Sequence, residues 1–268
     1  MTLAFNHLGQ LGRLGNQMFQ YASLRGIAAM RGYDFGIPNS TATDEWREHQ
    51  LFEVFHLFGL NRKNVGYLDG GHAPIVNEQT FTFDPLLFKQ CPNDVSLWGF
   101  FQSEKYFKHI EEEIRSDFTF RSEILDPCAT YMEDHVDSIS LHVRRTDYIP
   151  NKANHYNLGL DYYEKALDKF STDREVIVFS DDPDWCKEQA LFQSDRFLIS
   201  ESGYNAADMC LMSYCTSHII ANSSFSWWGA WLSGSKDVIA PVKWFGPNNL
   251  DKSTSDLIPL HWQLLDSK

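Results

Sequence analysis

From Asp137 onward the chain alternates short β-branched runs with segments of helical period. Residues 138–143, 175–180, 196–200, 217–221 and 237–240 are apolar runs too short for helices and bounded by polar or turn residues, so they read as strands. Helical segments separate these runs, which rules out hairpins and predicts a parallel sheet with helices on its faces. Asp161 followed by Glu164 reads as a capping box, and Asp182 before Pro183 as an N-cap with proline in the first helical position. In the first half, the pattern predicts a strand near 2–6, a glycine-punctuated turn and a helix over 17–30 that ends at Gly32. A second strand at 95–100 and a helix over 103–117 follow. Between Phe35 and Gly99 the sequence is rich in Phe, Asn and Gly and has no clean period, so that stretch stays unassigned. The resulting division is a first α/β domain over 1–137 and a second over 138–268.

Composition narrows the class. With 43% hydrophobic residues the 268-residue chain can bury a substantial core. No run approaches the ~18 apolar residues that a membrane span needs, and Met1 to Gln10 lacks the pattern of a signal peptide, so the protein is expected to be cytoplasmic. The five cysteines include no C-x-x-C pair, which argues for reduced thiols rather than a disulfide or zinc framework. A net charge of −13 excludes a basic surface for nucleic acid or anionic lipid. Any phosphate the protein binds must be held by a local group of donors.

Three segments offer such donors. His142-Val143-Arg144-Arg145-Thr146-Asp147 ends the first strand of the second domain, and period two sets His142 and Arg144 on the face opposite Ile139, Leu141 and Val143. Ligands bind at strand ends in open α/β sheets, where a guanidinium fork suits a diphosphate. The plain alternative is that both arginines pair with aspartates such as Asp147. Gly12-Arg13-Leu14-Gly15-Asn16-Gln17 stands between a strand and a helix, with Arg13, Asn16 and Gln17 at the helix mouth, yet it is neither G-x-G-x-x-G nor a P-loop. Asn222-Ser223-Ser224-Phe225 opens another helix after a strand, with hydroxyls suited to phosphate oxygens, while Trp228 and Trp231 read as core. Asp181-Asp182-x-Asp184 invites a magnesium reading, which the capping role of Asp182 and the nearby arginines weigh against. Asp208 is either solvated or a carboxylate accepting from the guanine edge.

Together, G-R-L-G-N-Q-M-F-Q-Y-A, H-V-R-R-T-D-Y and N-S-S-F-S-W-W-G-A-W resemble glycosyltransferase family 11, the α1,2-fucosyltransferases, in order and spacing from Gly12 to Trp231. The H-x-R-R-x-D element is shared with the α1,6- and protein O-fucosyltransferases. The resemblance implies a GT-B-like pair of α/β domains with parallel sheets and the nucleotide site in the C-terminal one. It further implies GDP-β-L-fucose as donor substrate, inversion to an α-linkage at O-2 of a terminal β-galactoside, and neither cofactor nor divalent metal. Carried over by position, His142 and Asp208 meet guanine, Arg144 the β-phosphate, and Ser223, Ser224 and Phe225 the diphosphate. Asn16 and Arg13 face the fucose and the acceptor, and Arg145 and Asp147 support the donor loop. Residues 148–152 hold no carboxylate where the α1,6 relatives carry one, so Asp147 is the first candidate for the base. Two other readings stay open: a glycan-binding module using the 8 Trp and 11 Tyr to stack on sugars, and a transferase for another GDP-sugar such as GDP-mannose or GDP-rhamnose.

Overall fold

The computed structural model of the protein describes residues 1–39 and 49–267. Contacts divide the chain into two units, Met1–Arg121 with Ser253–Ile258, and Ser122–Lys252 with Pro259–Lys268.

In the first unit the elements run β1 (Thr2–Ala4), α1 (Leu14–Arg31), β2 (Asp34–Gly36), α2 (Leu51–Val54), β3 (Ile75–Asn77), α3 (Pro85–Gln90), β4 (Val95–Trp98) and α4 (Glu111–Asp117). Their sheet has the order β2-β1-β4-β3 and every pairing is parallel. Gly32 ends α1 as predicted: at φ 65° its N–H returns to the carbonyls of Ala28 and Ala29, a left-handed cap that glycine adopts without strain. The helix expected over 103–117 is instead two 3-10 turns, Glu104–Tyr106 and Lys108–Ile110, followed by α4. The reason is close approach. A Cβ on Gly26 of α1 would overlap the Tyr106 carbonyl, so the chain at Tyr106 and Phe107, both buried, lies directly against the backbone of α1.

The second unit runs α5 (Ser122–Met132), β5 (Ile139–Val143), α6 (Leu160–Leu167), β6 (Val176–Ser180), α7 (Pro183–Glu188), β7 (Phe197–Ile199), α8 (Asn205–Tyr214), β8 (Ser217–Ile219), α9 (Ser224–Ser233), β9 (Val238–Pro241) and β10 (Gln263–Leu265). All five predicted strands are present, joined by β10, in the order β10-β9-β8-β5-β6-β7 with every pair parallel. The parallel α/β expectation therefore holds in both units. Helix α5 packs on α8 and buries Ile124, Cys128 and Met132; the second unit thus begins at Ser122 rather than at the expected 138. Asp182 caps α7, accepting from the Trp185 N–H at 3.3 Å ahead of Pro183. The capping box at Asp161 does not form. Helix α6 starts two residues earlier with Gly159 at the cap position, and Asp161 lies in the first turn, 3.9 Å from Lys165.

Ile139, Leu141 and Val143 of β5 bury against Tyr162, Tyr163 and Ala166 of α6, with Val176 and Val178 of β6 beside them. From β5 the chain builds outward through β6 to β7, then returns across the sheet for β8, β9 and β10. The carboxyl ends of β5 and β8 are neighbours whose connections leave in opposite directions, which opens a crevice where α/β sheets bind ligands.

Candidate functional site

The crevice between β5 and β8 collects most of the residues that the sequence singled out. His142, on the β5 face opposite the Leu141 core, lies against the Phe225 ring with centroids 5.6 Å apart. It is buried, and its Nδ1 has no hydrogen-bond partner. Burial first, and the Arg144 cation second, pull its pKa down to about 3, so the ring is neutral at pH 7 and offers a ligand one donor and one acceptor.

Arg144 begins the loop after β5. Its guanidinium lies 2.7 Å from Asp147 Oδ1, 3.2 Å from Asp181 Oδ2 and 5.5 Å from the centre of the Tyr148 ring. The plain alternative of an arginine paired with Asp147 is thus realised for Arg144, and the pairing fixes the orientation of the fork. Arg145 points elsewhere. Its guanidinium stacks 3.6 Å from the Trp185 ring centre and pairs with Asp182 at 3.1 Å, both on α7.

Asp181, at the end of β6, holds the loop together. Its carboxylate accepts from the Arg145 N–H at 2.9 Å, from the Thr146 N–H at 3.2 Å and from the Thr146 hydroxyl. The sequence offered Asp181 only as a metal ligand. The three aspartates of that cluster have separate partners: Asp181 binds the loop, Asp182 caps α7, and Asp184 reaches Lys187 at 3.5 Å. Among the described residues no group of three His, Cys, Asp or Glu side chains is arranged to hold a metal ion.

Tyr148 and Asn222 were quoted inside motifs but given no role, and they join the two sides of the crevice. The Tyr148 hydroxyl donates to the Asn222 carbonyl at 2.9 Å, and its ring stacks on His155 at 4.1 Å. Burial pushes the phenol up to about 12, so it remains a donor. The Asn222 amide donates to the carbonyls of Tyr156 at 2.8 Å and Trp244 at 2.7 Å. Ser223 caps α9, its hydroxyl accepting from the Phe225 N–H at 3.3 Å, while Ser224 and Phe225 are partly exposed at the helix start. Trp227, Trp228 and Trp231 are core residues.

Asp208 sits in the first turn of α8, which follows the carboxyl end of β7, so it lies on the same rim. Hydroxyls of Ser200 at 2.6 Å and Ser202 at 2.8 Å donate to one oxygen, Oδ1. Burial raises its pKa and the two hydroxyls oppose that rise.

In the first unit Arg13 occupies the N-cap position of α1 and is exposed. Asn16 is partly buried, and its Oδ1 accepts from Gln102 Nε2 at 2.5 Å. Gln17, expected at the helix mouth, is buried instead and its Oε1 accepts from the Gln50 N–H at 3.0 Å; it secures the start of α2.

The two α/β units share their fold with solved fucosyltransferases. The fucosyltransferase NodZ from Bradyrhizobium has the same fold, with a TM-score of 0.54 over 86% of this chain and 92% of that one at 16% identity. Among curated proteins, the chain is 37% identical to the O-antigen biosynthesis glycosyltransferase WbnK of Escherichia coli over 62% of its own length and 61% of that protein's. To an α-1,2-colitosyltransferase of the same species it is 31% identical over 94% of its length and 95% of the relative's. The sequence model of glycosyl transferase family 11 matches residues 83–262. The chain belongs to that family.

Proposed function

We propose that the protein transfers L-fucose from GDP-β-L-fucose, with inversion, to a glycan hydroxyl, first of all O-2 of a terminal β-galactoside. The observation that carries this reading is the Arg144 fork, held by Asp147 and Asp181 at the mouth between β5 and β8. As the bond from sugar to phosphate breaks, its electron pair stays on the β-phosphate oxygen. A fixed guanidinium meets that charge better in the transition state than in the ground state. Neutral His142, with an unbonded ring nitrogen, and the second oxygen of Asp208 are the groups assigned to guanine. Ser223, Ser224 and the first amides of α9 are assigned to the diphosphate.

Arg145 keeps the loop in place through α7, and Asp147 orients Arg144 rather than taking the acceptor proton, since its Oδ1 already faces the guanidinium. The first unit serves the acceptor through Arg13 and Asn16, and the second serves GDP. No metal takes part in this reading, because arginine answers the diphosphate and Asp181, Asp182 and Asp184 each have other work.

A second reading, transfer of colitose, draws on the colitosyltransferase relative. The deciding experiment is a donor competition between GDP-fucose and GDP-colitose on a panel of β-galactosides with excess EDTA, products being read by mass. Fucosylated product at undiminished rate supports the first reading. Preference for colitose installs the second, and activity that returns only with Mg²⁺ reopens the aspartate cluster. Binding of galactosides without any binding of GDP would leave a glycan-binding module.

A further inference from the structure

Asn16 is an amide, and an amide's two ends ask opposite things of a ligand. Which end faces out depends on what holds the other. In the first unit, the residues after β4 form an unusual turn. Phe101 is fully buried and adopts φ 51°, a left-handed conformation that is strained for a bulky side chain. Its backbone is fixed at both ends: Glu78 Oε1 accepts from its N–H at 2.9 Å, and the Ser23 hydroxyl donates to its carbonyl at 3.0 Å. The other Glu78 oxygen accepts from the Phe100 N–H at 2.8 Å. Gln20, also fully buried, ties this turn to the loop before α1, its Nε2 lying 3.1 Å from both the Gly99 and the Leu11 carbonyls.

The product of this bracing is the position of Gln102. Its side chain is buried, and its Nε2 reaches Asn16 Oδ1 at 2.5 Å. With Oδ1 committed, Asn16 Nδ2 is turned toward Gly12, where any side chain would overlap it. Gly12 is exposed at φ 79°, and its lack of a side chain is what leaves room for the amide nitrogen there. A strained turn held from four directions to aim one buried glutamine is expected of a functional element.

We infer that Gln102 is a positioning residue that sets the polarity of Asn16, so that Asn16 presents N–H donors to an oxygen of the bound substrate. The inference rests on the reading that Asn16 faces substrate. It adds that the recognised group accepts a hydrogen bond, as a sugar hydroxyl or ring oxygen does, and that Glu78 and the Gly99–Phe101 turn exist to fix this.

The test uses three variants of the full chain, with wild-type transfer activity measured first. Asn16→Asp keeps the oxygen that Gln102 grips and changes only the outward end from donor to acceptor. Its kcat is expected to fall ~10² to 10³-fold, the usual effect of removing one fixed donor, with GDP affinity unchanged. Gln102→Glu opposes an acceptor to Asn16 Oδ1, so the amide reverses, and kcat is expected to fall about as far as in Asn16→Asp. Gln102→Leu removes the grip without reversing it, and a fall several-fold smaller is expected. A packing role predicts the opposite order, since glutamate matches glutamine in shape and leucine does not. Near-normal kcat in Asn16→Asp, or Gln102→Glu more active than Gln102→Leu, overturns the inference while wild-type transfer still stands. Failure of the wild type to transfer fucose defeats the functional reading instead, and the same ranking is then made with the donor that it does use.

Discussion

Arg144 and Arg145 are adjacent and chemically identical, yet they enter different environments. Arg144 is held at the mouth of the crevice by two carboxylates, whereas Arg145 lies on Trp185 and Asp182 of α7. Strand alternation anticipated the divergence, because β5 continues its period into the motif. Arg144→Ala should therefore lose ~10² to 10³-fold in kcat with an unchanged melting temperature. Arg144→Lys should recover little, since it keeps the charge and loses the planar fork. Arg145→Ala should keep most of its kcat and melt lower. Near-normal turnover in Arg144→Ala would remove the leaving-group assignment. Asp208→Asn makes a narrower test. Ser200 and Ser202 still find an oxygen to donate to, but the outward acceptor becomes a donor, so GDP binding should weaken by about 1 to 3 kcal/mol. Isothermal titration with GDP and ADP reads both the loss and the fall in guanine preference. The contributions of Asp181, Tyr148 and Gln102 were not legible from the sequence, because each acts through a partner 36 to 86 positions away and no local pattern marks it.

Elements were legible in proportion to how far burial dictates their residues. Strands β6 and β9 are buried along nearly their whole length and appear as continuous apolar runs, while β5, buried throughout, shows its alternation of Ile139, Leu141 and Val143 with Ser140 and His142. Strands β2, β3 and β10 have three residues each and are at least partly exposed, too short to show a period. Helix α5 was hidden by Pro127 in its interior. At α6 the capping box was read from spacing alone, and the backbone began its turn two residues earlier, with Gly159 as the cap. Where cap and proline agreed, at Asp182, the reading held. That aspartate both caps α7 and receives Arg145. Asp182→Ala should therefore cost about 1 kcal/mol or more, seen as a fall of ~2 to 4 °C in melting temperature. Asp182→Asn should lose less, because an amide oxygen still caps. Equal melting temperatures for both variants and wild type would deny the cap any energetic role.

Across the whole molecule, burial of imidazoles links stability to pH. His142 and His218 are both pulled down to about 3, chiefly by burial. His218 is satisfied as a neutral ring between Ser140 at 2.6 Å and Ser233 at 2.7 Å. Below the ordinary histidine pKa the unfolded chain takes up protons that these two rings refuse in the fold. Their contribution is thus complete above about pH 6.5 and is lost as pH falls toward 3. His49 and His155 act in the same direction, and Asp208, raised by burial, acts in the opposite one. Urea unfolding between pH 7 and pH 5 should show stability falling by up to about 1.4 kcal/mol per pH unit for each of the two buried rings. A flat profile would mean that water or a counter-charge reaches them.

The chain passes from the first unit to the second at 121–122, returns to the first for Ser253–Ile258, and crosses again to supply β10. Asp256 of the returning segment accepts from the Phe83 N–H at 3.0 Å and pairs with Lys105, while β10 covers the outer edge of β9. The last sixteen or so positions therefore contribute to both units, and neither unit can be cut out as one uninterrupted piece of sequence. Expression ending at Lys252 should leave β9 with a bare row of backbone donors and acceptors, the kind of edge that recruits strands from other molecules. Sedimentation should find that shortened chain in aggregates. Supplying residues 253–268 as a separate peptide during refolding should return part of it to solution, and monodisperse behaviour without the peptide would show that the segment is dispensable.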